Sequence, residues 1–145
     1  MDEKTTRELQ SLLSRIQNTE ALDEYLTAPR NLSPYADFCA YFLSLPAVEA
    51  LSRAELVRRS GLERTYAYQI LNGTKAHPGR DKLLCLCIAA GLTVEETQKA
   101  LQAAREAPLY ARDRRDAILQ FAINRGCSVT EASLLLDELG ETPLS

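Results

Sequence analysis

The sequence predicts an all-α fold, and three observations carry the prediction. Every strong apolar periodicity along the 145 residues is helical, with stripes at i, i+3, i+4 and i+7 rather than alternation. Helix-start signals of the form Thr/Ser-x-x-Glu recur at Thr5/Glu8, Ser52/Glu55, Thr93/Glu96 and Ser128/Glu131. A thirty-residue segment, 80–109, aligns without gaps to 115–144 with eleven identical positions, including Arg80/Arg115, Asp81/Asp116, Gly91/Gly126, Glu96/Glu131 and Pro108/Pro143.

Taken in order, Leu9, Leu12, Leu13 and Ile16 form the apolar stripe of a first helix, capped by Thr5. A second short helix is expected from about Thr19, burying Leu22, Tyr25 and Leu26; together they make an N-terminal helical hairpin, segment 1–32. The stretch APRNLSP (28–34) breaks the pattern. Ser33 followed by Pro34 is an N-cap and first helical position, predicting a helix through Leu45 that Pro46 ends. Each repeat unit reads as helix, glycine C-cap, capping box, helix and proline stop. Two copies are too few for a solenoid, so a duplicated αα-hairpin is expected, its second copy within segment 110–145.

Between the hairpins lies LSRAELVRRSGLERTYAYQILNG (51–73). A helix capped by Ser52 and burying Leu56 and Val57 is followed by Gly61, suited to a left-handed turn, and then by Leu62 beneath that turn. A second helix turns Ala67 and Ile70 to the core and leaves Arg64, Thr65, Tyr66, Tyr68 and Gln69 outward. This is the pattern of a helix-turn-helix. The charge distribution singles out the same region. The whole chain carries −3, but residues 52–82 hold seven Lys/Arg against three Asp/Glu, whereas 1–51 hold four against eight and 83–145 six against nine. A local basic excess is what phosphate contact requires, and the acidic remainder limits indiscriminate binding.

On these residues, and on HPGRDKLLCLCIAAGLTVEET beyond them, the chain resembles the Cro/cI-type (XRE) helix-turn-helix family over about residues 34–105. The resemblance implies a lambda-repressor-like core within segment 33–109 and a sequence-specific transcriptional regulator, of repressor type, that binds double-stranded DNA. It puts Arg64, Thr65, Tyr66 and Gln69 at base-reading positions with Tyr68 beside them, and Arg53 and Lys75 at phosphate-contacting ones. Arg64 suits the bidentate contact to guanine, and Gln69 the matching contact to adenine. The chain departs from the family's pattern with Val57 for an alanine, Ala67 for a large aliphatic, Ser60 for an apolar residue, and a longer loop, GTKAHP (73–78). The first two changes are expected to compensate in volume.

Other classes are disfavoured. The longest apolar run, LLCLCIAA (83–90), is far short of a membrane span, and MDEKTTRELQ lacks the apolar stretch of a secretory signal, so a cytoplasmic protein with no membrane partner is expected. Cys85 and Cys87 stand about 200° apart on a helix and cannot share a metal without unwinding it. The four cysteines, Cys39, Cys85, Cys87 and Cys127, are therefore expected as small buried hydrophobes, and no cofactor is expected. There is no nucleophile–His–acid set, no glycine-rich phosphate loop and one histidine, His77, in a loop, so catalysis is not expected.

A competing reading keeps the helix-turn-helix as scaffold and makes the protein an adaptor whose hairpins 80–145 hold a protein partner. The last helix, with Val129, Leu134, Leu135, Leu136 and Leu139, has more apolar surface than one inward face needs. Either the N-terminal hairpin covers that surplus, or residues 110–145 form a homodimer interface on a palindromic DNA target.

Overall fold

The computed structural model describes residues 6–27, 37–75 and 77–145. The chain divides into two compact units, Met1–Ala36 and Asp37–Ser145. Among the described residues there is no strand, and no helix is long and apolar enough to cross a membrane.

The first unit contains α1 (Thr6–Ser14) and α2 (Thr19–Thr27). The expected cap at Thr5 lies outside the described residues. Asn18 caps α2, its side-chain oxygen accepting from the Ala21 amide at 2.7 Å. Tyr25 is buried, but Leu22 and Leu26, expected in the core, are exposed, as is Leu13.

The second unit opens with α3 (Phe38–Phe42) and α4 (Pro46–Glu49) where one helix from Pro34 to Leu45 was expected. Residues 33–36 lie outside the described residues. The cap of α3 is Asp37, whose carboxylate accepts from the Ala40 amide at 2.8 Å. Pro46, expected as a stop, also starts α4: at the first helical position its missing N–H is no loss. Beyond these come α5 (Arg53–Ser60), α6 (Arg64–Leu71), α7 (Arg80–Ala89), α8 (Val94–Ala103), α9 (Arg114–Asn124) and α10 (Val129–Glu138).

Helix α7 is the axis of this unit. Leu83 through Ala90 are buried without interruption, because α5, α8 and α10 all pack against α7. Its run of leucines, cysteines and isoleucine is thus a helix apolar all round, as full burial demands. Cys85 and Cys87 fill core volume as expected, whereas Cys39 and Cys127 are only half-buried. All four are free thiols, and burial pushes the Cys85 thiol up to about 11.

The sequence repeat is a structural one. Gly91 and Gly126 close α7 and α9 with φ of 70° and 69°, and Thr93 and Ser128 form full capping boxes with Glu96 and Glu131. The two copies are tied by crossed ion pairs. Arg80, first residue of copy one, places Nη1 and Nη2 at 3.0 and 2.9 Å from the two carboxylate oxygens of Asp116, second residue of α9's RD pair. Arg115 does the same to Asp81 at 3.0 and 2.8 Å. Each arginine also donates to two carbonyls at the end of its own copy, Ala107 and Pro108 for Arg80, Thr142 and Pro143 for Arg115. Each carboxylate accepts one further amide, Tyr110 on Asp116 and Ser145 on Asp81. Tyr110 and Ser145 are themselves 35 residues apart, the period of the repeat, so the whole network obeys a pseudo-two-fold exchange. These bonds join residues 110–145, expected as a separate segment, to 37–109 in one unit. Of the apolar residues of α10 named above, Leu136 is core, Val129 and Leu135 are partly buried, and Leu134 and Leu139 are exposed.

Burial alone would raise the Asp116 pKa, but hydrogen bonds from Arg80 and the Tyr110 amide, with the charges of Arg80 and Arg115, outweigh it and hold the carboxyl below its ordinary 3.8. A carboxylate with a depressed folded-state pKa contributes stability that is full above the unfolded value and is lost as pH falls through the folded one. Arg80→Ala, which strands a nearly buried carboxylate, is expected to cost about 2–4 kcal/mol in urea unfolding at neutral pH. The stability gap between wild type and Asp116→Asn should narrow as the pH is lowered through and below 3.8.

The ends of α8 and α10 offer an internal control. The Glu106 amide donates to Leu101 at 2.9 Å and the Glu141 amide to Leu136 at 2.8 Å, the same closing bond in both copies. That bond places the preceding residue in the left-handed region, where copy two has Gly140 (φ 81°) and copy one has Arg105 (φ 60°). Arg105→Gly is expected to gain about 0.5–1 kcal/mol and Gly140→Ala to lose at least about 1 kcal/mol, read from thermal unfolding.

Candidate nucleic-acid interface

Helix α5 starts at Ser52, whose hydroxyl accepts from the Glu55 amide at 3.1 Å. The reciprocal half of the expected capping box is missing. The Glu55 carboxylate instead takes Arg58 and Arg59, the latter through Nε at 2.7 Å. Hydrogen bonds from Arg58 and then Arg59 bring the Glu55 pKa down to about 2. Val57 and Ala67 are both buried. Ser60, an unusual polar residue for a core, is fully buried and satisfied: its hydroxyl donates to the Val57 carbonyl at 2.7 Å and accepts from the Leu62 amide at 3.2 Å. It thereby fixes both sides of the turn at Gly61, whose φ is 71°.

Glu63 begins α6, and its two carboxylate oxygens accept from the Thr65 and Tyr66 amides at 3.1 and 3.2 Å. A carboxylate is thus already seated on the positive end of the helix, which leaves that end unsuited to a phosphate. Ala67, Ile70 and Leu71 are buried. At about 100° per residue, Thr65 and Gln69 lie opposite that buried stripe, with Arg64 and Tyr68 on one flank and Tyr66 on the other. Arg64 and Thr65 are exposed; Tyr66, Tyr68 and Gln69 are half-buried.

The flanks are organised by cation–ring contacts. The Arg64 guanidinium carbon is 5.8 Å from the centre of the Tyr68 ring. The Lys75 and Lys82 ammonium groups are 5.2 and 5.8 Å from the centre of the Tyr66 ring. Lys75 is held near α6 by its own amide, which donates to the Gln69 carbonyl at 3.0 Å. The other end of α6 is braced by α3, where the Cys39 thiol donates to the Ile70 carbonyl at 2.9 Å. Burial and the Asp37 charge push the Cys39 pKa up, so the thiol stays protonated and able to donate, although the Gly73 backbone and the Arg53 charge act the other way.

The basic island therefore divides. Arg58 and Arg59 are committed to Glu55, and Arg80 to Asp116. Among the described residues, Arg53, Arg64, Lys75 and Lys82 form no ion pair. The structure brings Arg64 to Tyr68 and Lys75 to Tyr66; it gives Arg53 an exposed place at the start of α5. Lys82 and Glu63 were not singled out from the sequence. The signal for Lys82 was its place in the HPGRDK stretch that follows the loop; for Glu63 it was its position two residues before Thr65. His77 is exposed. Among the described residues no group of three or more His, Cys, Asp or Glu could hold a metal ion. Comparison of the chain with protein-family models, curated proteins and solved structures finds no match.

At Gly61 an added Cβ would lie 3.9 Å from the nearest atom, a methyl of Val129, which is ordinary contact. Substitution there acts through the backbone alone. Gly61→Ala is expected to cost about 1–2 kcal/mol and Gly61→Val more, in chemical unfolding, with α6 surface residues unchanged.

Proposed function

We propose that the protein is a sequence-specific double-stranded DNA-binding transcriptional regulator of the Cro/cI (XRE) type, with α6 entering the major groove. One observation carries the reading: the outward face of a short helix, braced behind a glycine turn, combines Thr65 and Gln69 with a ring-supported Arg64 and lies beside cations that form no ion pair among the described residues. Arg64 reads guanine through O6 and N7, and Gln69 reads adenine. Thr65 meets a thymine methyl or a phosphate, and Tyr68 packs against sugar or thymine while supporting the Arg64 guanidinium. Tyr66, flanked by Lys75 and Lys82, joins those lysines and Arg53 in phosphate contact, which positions the helix without specifying sequence. The chain acts by binding, without a cofactor or catalysis.

The adaptor reading has an observation of its own in the exposed apolar residues Phe121 and Leu134 on the second hairpin. Selection of bound sequences from a random DNA pool, followed by binding of variants, separates the two. Arg64→Ala and Gln69→Ala are each expected to weaken the best site by about 1–3 kcal/mol and to relax preference at one base position. Arg53→Ala, Lys75→Ala and Lys82→Ala are expected to weaken all sequences alike and to make the salt dependence shallower. Sequence-blind losses from all five changes, or no enriched sequence, would sink the reading.

A further inference from the structure

The two hairpins share a backbone plan and an exchanged ion-pair network, so each position in one copy has a counterpart 35 residues away. Their outer faces have different fates. On copy one, α5 packs on α7 and α3 on α8. There Leu86, Ala90, Leu92 and Ala100 are all buried. Their counterparts on copy two are Phe121, Arg125, Cys127 and Leu135, and they line an open groove of about 280 Å³ with Glu131, Leu134 and Glu138. Phe121 is 53% exposed where Leu86 is fully buried.

A helix face that meets only water is normally polar. Here the apolar content of the outer face rises at the position that is exposed in both copies: Lys99 of copy one is replaced by Leu134, which is 56% exposed. Charges of both signs border the groove. Arg125 lies 5.6 Å from the Phe121 ring centre, and neither it nor Glu138 forms an ion pair among the described residues. The other acidic residue on the groove, Glu131, is held in its capping box with Ser128. This leaves Arg125 and Glu138 beside an apolar centre, a patch that is self-complementary under a two-fold axis, where a residue of one copy meets its opposite in the other.

We propose that the outer face of α9 and α10 binds a second copy of this chain, with Phe121 and Leu134 of both copies at the centre and Arg125 of each copy facing Glu138 of the other. The dimer gives the apolar face of copy two the cover that α3 and α5 give copy one. It requires no DNA, so it stands or falls apart from the DNA-binding reading.

Sedimentation of the full chain without DNA, in reducing buffer so that Cys127 plays no part, tests it. A species of twice the 16.1 kDa chain mass is expected. Leu134→Lys, which restores the residue of copy one at an exposed site, should leave the circular dichroism and melting unchanged and weaken dimerisation about tenfold or more. Arg125→Glu and Glu138→Arg should each weaken it, and the two together should restore it. A photo-cross-linking benzoylphenylalanine at position 134 should join two chains. A monomer at concentrations up to about 100 μM overturns the proposal. So does an undiminished Leu134→Lys dimer, a double charge variant that fails to recover, or a cross-link from 134 to residues 6–27 of the same chain.

Discussion

The crossed pairs Arg80–Asp116 and Arg115–Asp81 are the constraint on which the second unit rests. Burying charge is costly, and a buried pair seldom repays that cost in stability. These pairs limit it by leaving little unsatisfied: each guanidinium also serves two carbonyls where its own copy ends, and each carboxylate takes an amide as well. Among the described residues no buried side-chain polar atom lacks a partner. What the arrangement supplies is register. A fork-shaped donor against a two-oxygen acceptor tolerates little sliding, so α7 and α9 are locked together at their starts, and α8 and α10 follow. The apolar wall of α7 is thereby fixed, and α5 packs on that wall.

That wall connects the ion pairs to the proposed DNA face. Helix α6 makes its own contacts through α5, through the satisfied turn of Ser60 and Gly61, and through the Cys39 thiol on the Ile70 carbonyl. Its outward residues are thus presented by a helix held at the turn and at its end. The charge of the region is allotted with similar economy. Of the basic residues in 52–82, those pointing to Glu55 and Asp116 do structural work, and the net positive field belongs to Arg53, Arg64, Lys75 and Lys82. Glu63 occupies the amides at the start of α6, so in the proposed complex phosphate contact falls to side chains.

Local signals in the sequence proved the most legible. The capping boxes at Thr93 and Ser128, the glycine turns, the burial of Leu56, Val57, Ala67 and Ile70, and the duplicated hairpin all follow from spacing within a few residues or from direct self-alignment. Partners distant in sequence were not legible. The repeated Arg-Asp dipeptide was visible as identity, but nothing local says that each half bonds the other copy. Competition was equally hidden: Ser52 and Glu55 have capping-box spacing, yet Arg58 and Arg59 take the glutamate. Pro46 was read as a stop because that is half of what proline does; the other half, starting α4, needed the chain's path. Arg105 concealed a left-handed residue that Gly140 announces in the second copy. Of the candidate site, the outward set on α6 came from helical periodicity alone, whereas Lys82 required the packing of α7 beside Tyr66.

Duplication makes divergence informative. Two hairpins under the same backbone constraints keep the Gly91/Gly126 turn, the capping glutamates, the Arg-Asp starts and the prolines, and vary where their surroundings differ. Ala90 and Ala100, small and buried on copy one, correspond to Arg125 and Leu135, larger and less buried on copy two. Copy one was fitted to neighbours already in the chain, α3 and α5. Copy two gained reach at the same positions, charged at one and apolar at the other, and an aromatic ring where copy one has leucine. Had its face only to meet water, Lys99 would have been the residue to keep, and Leu134 stands there instead. The difference between two copies of one hairpin thus separates a face covered by α3 and α5 from the more exposed, more apolar face on which the proposed dimer rests.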